Sequence, residues 1–184
     1  MEFFNLFSQS RELRQALEQS RVRLYRMAYA WCHNAALADD LAQEALTKAL
    51  RKSSQLRDPK ARDAWLFSIL TNCYRDHFRR QRDMDDIDDV ELSDETTPES
   101  DSSRQEIVIQ VRAAIAQLPE GQRQVVTLVD LEGFSYVEVA TILGVPIGTI
   151  MSRLCRARNA LRALLVPQLE RQNTVPGVAL RRIK

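Results

Sequence analysis

Thr149, Ser152, Arg156 and Asn159 recur at steps of three and four residues, so on a helix they stand on one side. Two hydroxyls, a guanidinium and a carboxamide in a row can donate to and accept from base edges and phosphates. Their chemistry is recognition rather than bond making. Residues suited to covalent chemistry are sparse. His33 and His77 are the two histidines, neither sits at a recognised spacing from a Ser or Cys partner, and the five glycines build no phosphate-cradling loop. Cys32, Cys73 and Cys155 are too scattered for a disulfide framework or a tetrahedral zinc set. We expect no metal, no cofactor and no enzymatic activity.

The polar row needs two helices to hold it. Ser135 and Glu138 form an S-x-x-E capping box that starts one helix, in which Tyr136, Val139, Ala140 and Leu143 recur at helical spacing. Gly144-Val145-Pro146 stops it, glycine offering a left-handed C-cap and proline resisting continuation. From Ile147 a second apolar stripe runs through Ile150, Leu154, Ala157, Leu161 and Leu165, with the polar row opposite it and Arg153 at the border. Residues 134–158 therefore read as a helix-turn-helix whose second helix could enter a DNA groove.

The net charge of +1 conceals a strong separation along the chain. Residues 83–103 hold ten acids and no base, whereas residues 1–82 carry fifteen bases against nine acids and residues 104–184 eleven against six. Two basic modules thus flank an acidic tether, 83–106, with too few large apolar side chains to offset its ordering entropy. It is expected to be flexible, either as a solubilising linker or as a polyanion that shields the basic modules. No apolar run approaches the roughly 20 residues of a membrane span, and the N-terminus lacks signal-peptide order, so a cytoplasmic protein without membrane insertion is expected. The basic tail 168–184, with Arg181, Arg182 and Lys184, has no assigned role.

In the first module, helices are expected over 11–33, 36–52 and roughly 63–81. The first has Leu13, Leu17, Leu24, Met27, Ala28 and Trp31 as apolar positions, the second Leu37, Leu41, Ala45 and Ala49. The second leaves Asp40, Gln43, Glu44 and Thr47 on a polar side. Its acids near the start, Asp39 and Asp40, complement the macrodipole, but Glu44 lies deeper. The third turns Trp65, Leu66, Ile69, Leu70 and Cys73 inward and projects Asn72, Arg75, Asp76, Arg79, Arg80 and Arg82 elsewhere, a set suited to a nucleic-acid strand.

Three stretches, in this order, carry a family resemblance: Ala38-Asp39-Asp40-Leu41-Ala42-Gln43-Glu44-Ala45; Ala64 through Asp76; and Leu118-Pro119-Glu120 through Arg158. Together they resemble the extracytoplasmic-function sigma factors, two-domain specificity subunits of bacterial RNA polymerase. The resemblance implies an all-α fold of two small helical domains joined by the acidic linker. These are a region 2 domain over 1–82 and a region 4 helix-turn-helix domain over 107–167. It implies that Asp39, Asp40, Gln43 and Glu44 dock on the clamp helices of the largest polymerase subunit, with further contact at the flap region. Arg57, Lys60, Asn72, Arg75, Asp76, Arg79 and Arg80 would hold the melted minus-ten strand and a flipped base. Thr149, Ser152, Arg153, Cys155, Arg156 and Asn159 would contact the minus-thirty-five element. Promoter DNA, core polymerase and an anti-sigma factor are the implied partners. Val129 before Asp130 and Met151 stand where many members carry a cation. The competing class is a stand-alone helix-turn-helix regulator, but residues 1–82 show no alternating strands or phosphoacceptor setting for a receiver. The flexible tether also allows the two modules of the free protein to close on each other.

Overall fold

The computed structural model describes residues 2–56, 58–84 and 103–173, and every regular element among them is helical. Helix α1 (Glu2–Cys32) buries Leu17, Leu24, Met27, Ala28 and Trp31. It stops at His33, which takes a left-handed backbone (φ 53°), and the His33 amide donates to the Tyr29 carbonyl. Asn34 follows as N-cap of α2 (Ala35–Arg51), its side chain accepting from the Leu37 amide at 2.9 Å. The buried face of α2 is Ala38, Leu41, Ala42, Ala45 and Ala49, small enough for α1 and the next helix to approach closely. Asp58 then caps the short turn Pro59–Ala61 that leads into α3 (Arg62–Met84).

The second module comprises α4 (Ser103–Ala116), α5 (Glu120–Val126), α6 (Tyr136–Leu143) and α7 (Ile147–Asn173). Helix α5 runs directly into a π-helical turn, Thr127–Leu131. Its core is Leu118, Val125, Val126, Leu128, Val139, Ile142, Leu143, Ile150, Leu154 and Ala157. The buried side chains of both modules run together into one cluster. Trp31 meets Tyr74 edge-on at 5.5 Å, and Phe67 of α3 meets Phe134 edge-on at 5.0 Å.

Several boundaries differ from the sequence reading. Helix α1 begins at Glu2 rather than near residue 11. Helices α3 and α4 reach into both ends of the expected linker, whose central residues 85–102 lie outside the described residues. Helix α7 continues through Pro167 to Asn173, although the tail was expected from 168; Leu164, Leu165, Leu169 and Arg171 around the proline are strong helix formers. Residues 174–184 of that tail, with its three C-terminal cations, lie outside the described residues. Within the core, Phe67, Tyr74 and Ile142 are buried where the periodic pattern did not assign them. Ile147 and Tyr136, the first residues of their helices, are 45% and 36% exposed rather than buried. Among the described residues no single helix is long and apolar enough to cross a membrane.

Candidate nucleic-acid interface

The capping box at Ser135 forms in full: the Glu138 amide donates to Ser135 Oγ at 3.3 Å, while the Ser135 amide donates to the Glu138 carboxylate at 2.8 Å. Hydrogen bonds from Ser135 hold the Glu138 carboxyl below its ordinary range. Gly144 takes the left-handed C-cap (φ 61°), and the turn delivers α7 with Ile150, Leu154 and Ala157 inward. Cys155, Arg156 and Asn159 are exposed on the other side, with Thr149 and Ser152 half-buried beside them. The Ser152 hydroxyl donates to the Thr149 carbonyl at 3.1 Å, which leaves its lone pairs to accept.

The α7 arginines divide by what they touch. Arg158 forms a two-pronged pair with Asp130, at 2.6 and 3.1 Å, and that carboxylate raises its already high pKa. Arg153 lies against Gly121 of α5, its guanidinium filling the space a Cβ at 121 would need. Arg156 is exposed on the face that the polar row defines. The expected row is therefore assembled, but Arg153 is turned toward α5 rather than outward.

On α3, Asn72, Arg75, Arg79 and Arg80 are exposed and Asp76 half-exposed. Asp76 pairs with Arg79 at 3.1 Å and lies 3.9 Å from Lys48 of α2, while the Arg80 Nε donates to the Asp76 carbonyl. Lys60 is exposed on the turn before α3; Arg57 lies outside the described residues. On α2, Glu44 pairs with Lys48 at 2.9 Å and lies 3.9 Å from Arg80. This bond to Glu44 raises the Lys48 ammonium's pKa. Asp39 pairs with Arg21 at 3.0 Å and accepts from Gln43 at 3.4 Å; Asp40 and Gln43 are exposed. The face expected to bind a protein partner thus splits. Asp40 and Gln43 point to solvent, whereas Glu44 belongs to a charge network that runs onto α3. The i,i+4 spacing of Glu44 and Lys48 signals that pairing in the sequence.

A second group of residues, not singled out as functional from the sequence, joins the modules. The Trp31 indole N–H donates to Thr127 Oγ1 at 2.9 Å, and Arg123 Nη1 donates to the Trp31 carbonyl at 2.6 Å. Arg23 bridges Asp63 of its own module (2.7 Å) and Glu132 of the other (2.8 Å), with its guanidinium 5.4 Å from the Phe67 ring centroid. Burial works against the Arg23 charge, but the bonds to both carboxylates outweigh it and raise its pKa. Arg75, expected to contact DNA, here donates to the Leu143 carbonyl at the end of α6, at 2.6 Å. The one available sequence signal was Trp31 itself, since a buried indole N–H needs a partner.

Among the described residues no group of three or more His, Cys, Asp or Glu is placed to hold a metal ion. Burial raises the pKa of the Cys32 and Cys73 thiols, which are packing groups here.

Residues 17–84 match the family model for sigma-70 region 2, and residues 109–161 that for sigma-70 region 4. The chain is 39% identical over 149 residues to the RNA polymerase sigma-H factor of Pseudomonas aeruginosa, spanning 74% of this chain and 77% of the relative. It is 40% identical over 133 residues to the ECF RNA polymerase sigma factor EcfG of Rhodopseudomonas palustris, spanning 72% and 73%. Among solved structures, it is similar to the sigma factor RpoE of Bartonella quintana in complex with the anti-sigma factor NepR. There the TM-score is 0.69 at 30% identity, over 84% of this chain and 96% of that one.

Proposed function

The chain belongs to the extracytoplasmic-function RNA polymerase sigma factors, and from that membership we propose that it binds core polymerase and directs initiation at a dedicated set of promoters. It works in the cytoplasm and performs no chemistry of its own; polymerase makes the bonds. The observation that carries this reading is the pairing, in one chain, of two helices with exposed polar and basic faces. On α3, Asn72, Arg79 and Arg80 are exposed for a melted strand, and on α7, Arg156 and Asn159 are exposed for a duplex groove. A regulator that needed only duplex DNA would have no use for the first.

In this reading residues 1–82 are the polymerase and minus-ten domain, with Asp40 and Gln43 as the exposed part of its docking face. Residues 107–167 are the minus-thirty-five domain. The closed arrangement, with Arg75 on Leu143, is a resting state that polymerase must open. An anti-sigma partner would favour it. The similarity to a sigma factor solved with its anti-sigma factor supports that reading.

The test is reconstitution. Full-length protein mixed with core polymerase should give discrete promoter-specific transcripts that neither component gives alone. Tight, sequence-specific binding of the free protein to promoter duplex, with no effect on transcription by core, would favour a stand-alone regulator instead.

A further inference from the structure

On the exposed side of α7, two side chains do not fit a purely polar reading head. Met151 is 55% exposed and Cys155 stands one turn beyond it, also exposed. With Tyr136, Leu154, Arg158 and Asn159 they line an open depression of about 260 Å³. A single exposed methionine needs no explanation. Its setting gives this one a role. From Ile147 to Leu169 the helix carries Arg153, Arg156, Arg158 and Arg162 and no acid, so the surface around the depression suits a polyanion. Gly148, one turn before Ser152, has open space where a Cβ would stand, so the start of the helix can approach a partner closely.

The intramolecular bonds narrow the choice of readers further. Arg158 is engaged by Asp130 and Arg153 lies on Gly121, so neither is poised at the centre of the face. From Met151 to Asn159 the side chains that remain outward are Arg156 and Asn159, which can make hydrogen bonds, and Met151 and Cys155, which offer almost none; Asn159 Nδ2 donates weakly to Cys155 Sγ at 3.8 Å, and Arg162 is exposed further along. In the major groove one base presents an apolar group to such a surface: thymine, through its 5-methyl. Methionine is flexible and polarizable enough to cover a methyl without exact fit. Along the helix Met151 and Cys155 are separated by roughly 6 Å of rise. That is far enough for the two side chains to reach different base pairs, which stack about 3.4 Å apart.

We propose that Met151 and Cys155 are an apolar base-reading pair that selects thymine methyl groups at two positions of the promoter element lying under α7. The inference rests on the reading of α7 as the minus-thirty-five helix and adds to it the base that each residue selects. Arg156 and Asn159 then supply the polar part of the readout, and the pair discriminates against cytosine, whose edge at that place has no methyl.

The experiment uses holoenzyme reconstituted from core polymerase and the full-length chain. Templates randomised across the minus-thirty-five element are transcribed and the preferred sequence is read out. Each preferred thymine is then replaced by deoxyuridine, which removes the methyl and nothing else. Wild-type holoenzyme should lose about three- to fivefold at two thymines, the size expected for one apolar contact of a methyl. Met151→Ala should abolish the sensitivity at one of them and Cys155→Ala at the other, while Met151→Leu, which keeps an apolar side chain, should retain it. Both positions are exposed, so melting temperatures should stay within a degree or two of wild type. If the element matters but deoxyuridine has no effect, or if the sensitivity survives both alanine variants, the pair does not read methyls and the placement of α7 stands. If transcription is indifferent to the whole element, the placement of α7 itself falls and this inference falls with it.

Discussion

The Trp31 indole N–H donates to Thr127 Oγ1 across 2.9 Å, tying the last turn of α1 to the π-helical turn of the other module. Both groups are buried, and the same hydroxyl donates to the Arg123 and Gln124 carbonyls behind it. Once the modules close, neither partner can turn to water instead.

Replacing Thr127 by Val keeps the shape and removes the acceptor. A buried indole N–H left alone costs about 1–3 kcal/mol, so the ratio of closed to open protein should drop about five- to a hundredfold. Dyes on the two modules should report a longer mean distance, and core polymerase should bind more tightly. An unchanged distance and affinity in a variant that still melts cooperatively would mean this bond does not hold the closure.

Asp40 and Glu44 should separate into a docking residue and a structural one. Asp40→Arg is expected to weaken core polymerase binding at least tenfold with no change in melting temperature. Glu44→Arg removes the pairs to Lys48 and Arg80 and should lower stability by about 0.2–1 kcal/mol, as for other half-exposed pairs. Binding and thermal melts on both variants check this; equal binding by Asp40→Arg and wild type would end the assignment.

Arg156→Ala should cut transcription from promoters with an intact minus-thirty-five element by roughly five- to a hundredfold, the range of a lost bidentate base contact, and leave the fold alone. Leu154→Ala, at a residue only 2% exposed, should instead cost about 2–5 kcal/mol by opening a cavity. Paired transcription and melting curves distinguish the two; a destabilised Arg156→Ala protein would put the helix on the wrong face.

Acid should weaken the fold through Asp63. Burial works to raise its carboxyl, but Arg23 and Arg62 outweigh that and hold it below the ordinary range. A carboxyl depressed in the folded chain contributes stability above its unfolded value, about pH 4, and loses it as pH falls through the lower folded value. Glu138 acts in the same direction through its capping box. The melting temperature should therefore be flat from neutrality to about pH 5 and fall below about pH 4, with a shallower fall in Asp63→Asn. The same acid slope in that variant would show that Asp63 is not among the groups responsible.

Much of the helix-turn-helix was legible because its determinants are local: Ser135 and Glu138 three residues apart, Gly144 at a left-handed cap, Ile150 and Leu154 on one stripe. The helices of the first module were legible for the same reason. That the two modules could close on each other followed from the tether, but the residues that make the seam did not. Trp31 and Thr127 are 96 residues apart, Arg23 and Glu132 are 109 apart, and no periodicity links them. Arg75 illustrates the limit: its basic charge on a polar face suggested a phosphate, and only the packing of α6 on α3 reveals a carbonyl in reach. Phe67 escaped the core pattern because α3 is covered on two sides, by the helices of its own module and by Phe134 of the other.

The Arg75 bond to the Leu143 carbonyl has a thermodynamic corollary. If one guanidinium serves both the seam and the melted strand, the two uses are mutually exclusive, and linkage makes their antagonism reciprocal. Whatever factor the seam takes from strand affinity, the captured strand must return in full by disfavouring the seam. A promoter with a stronger minus-ten strand would then do more than hold the protein longer: it would prevent re-closure, and with it recapture by anything that recognises the closed form.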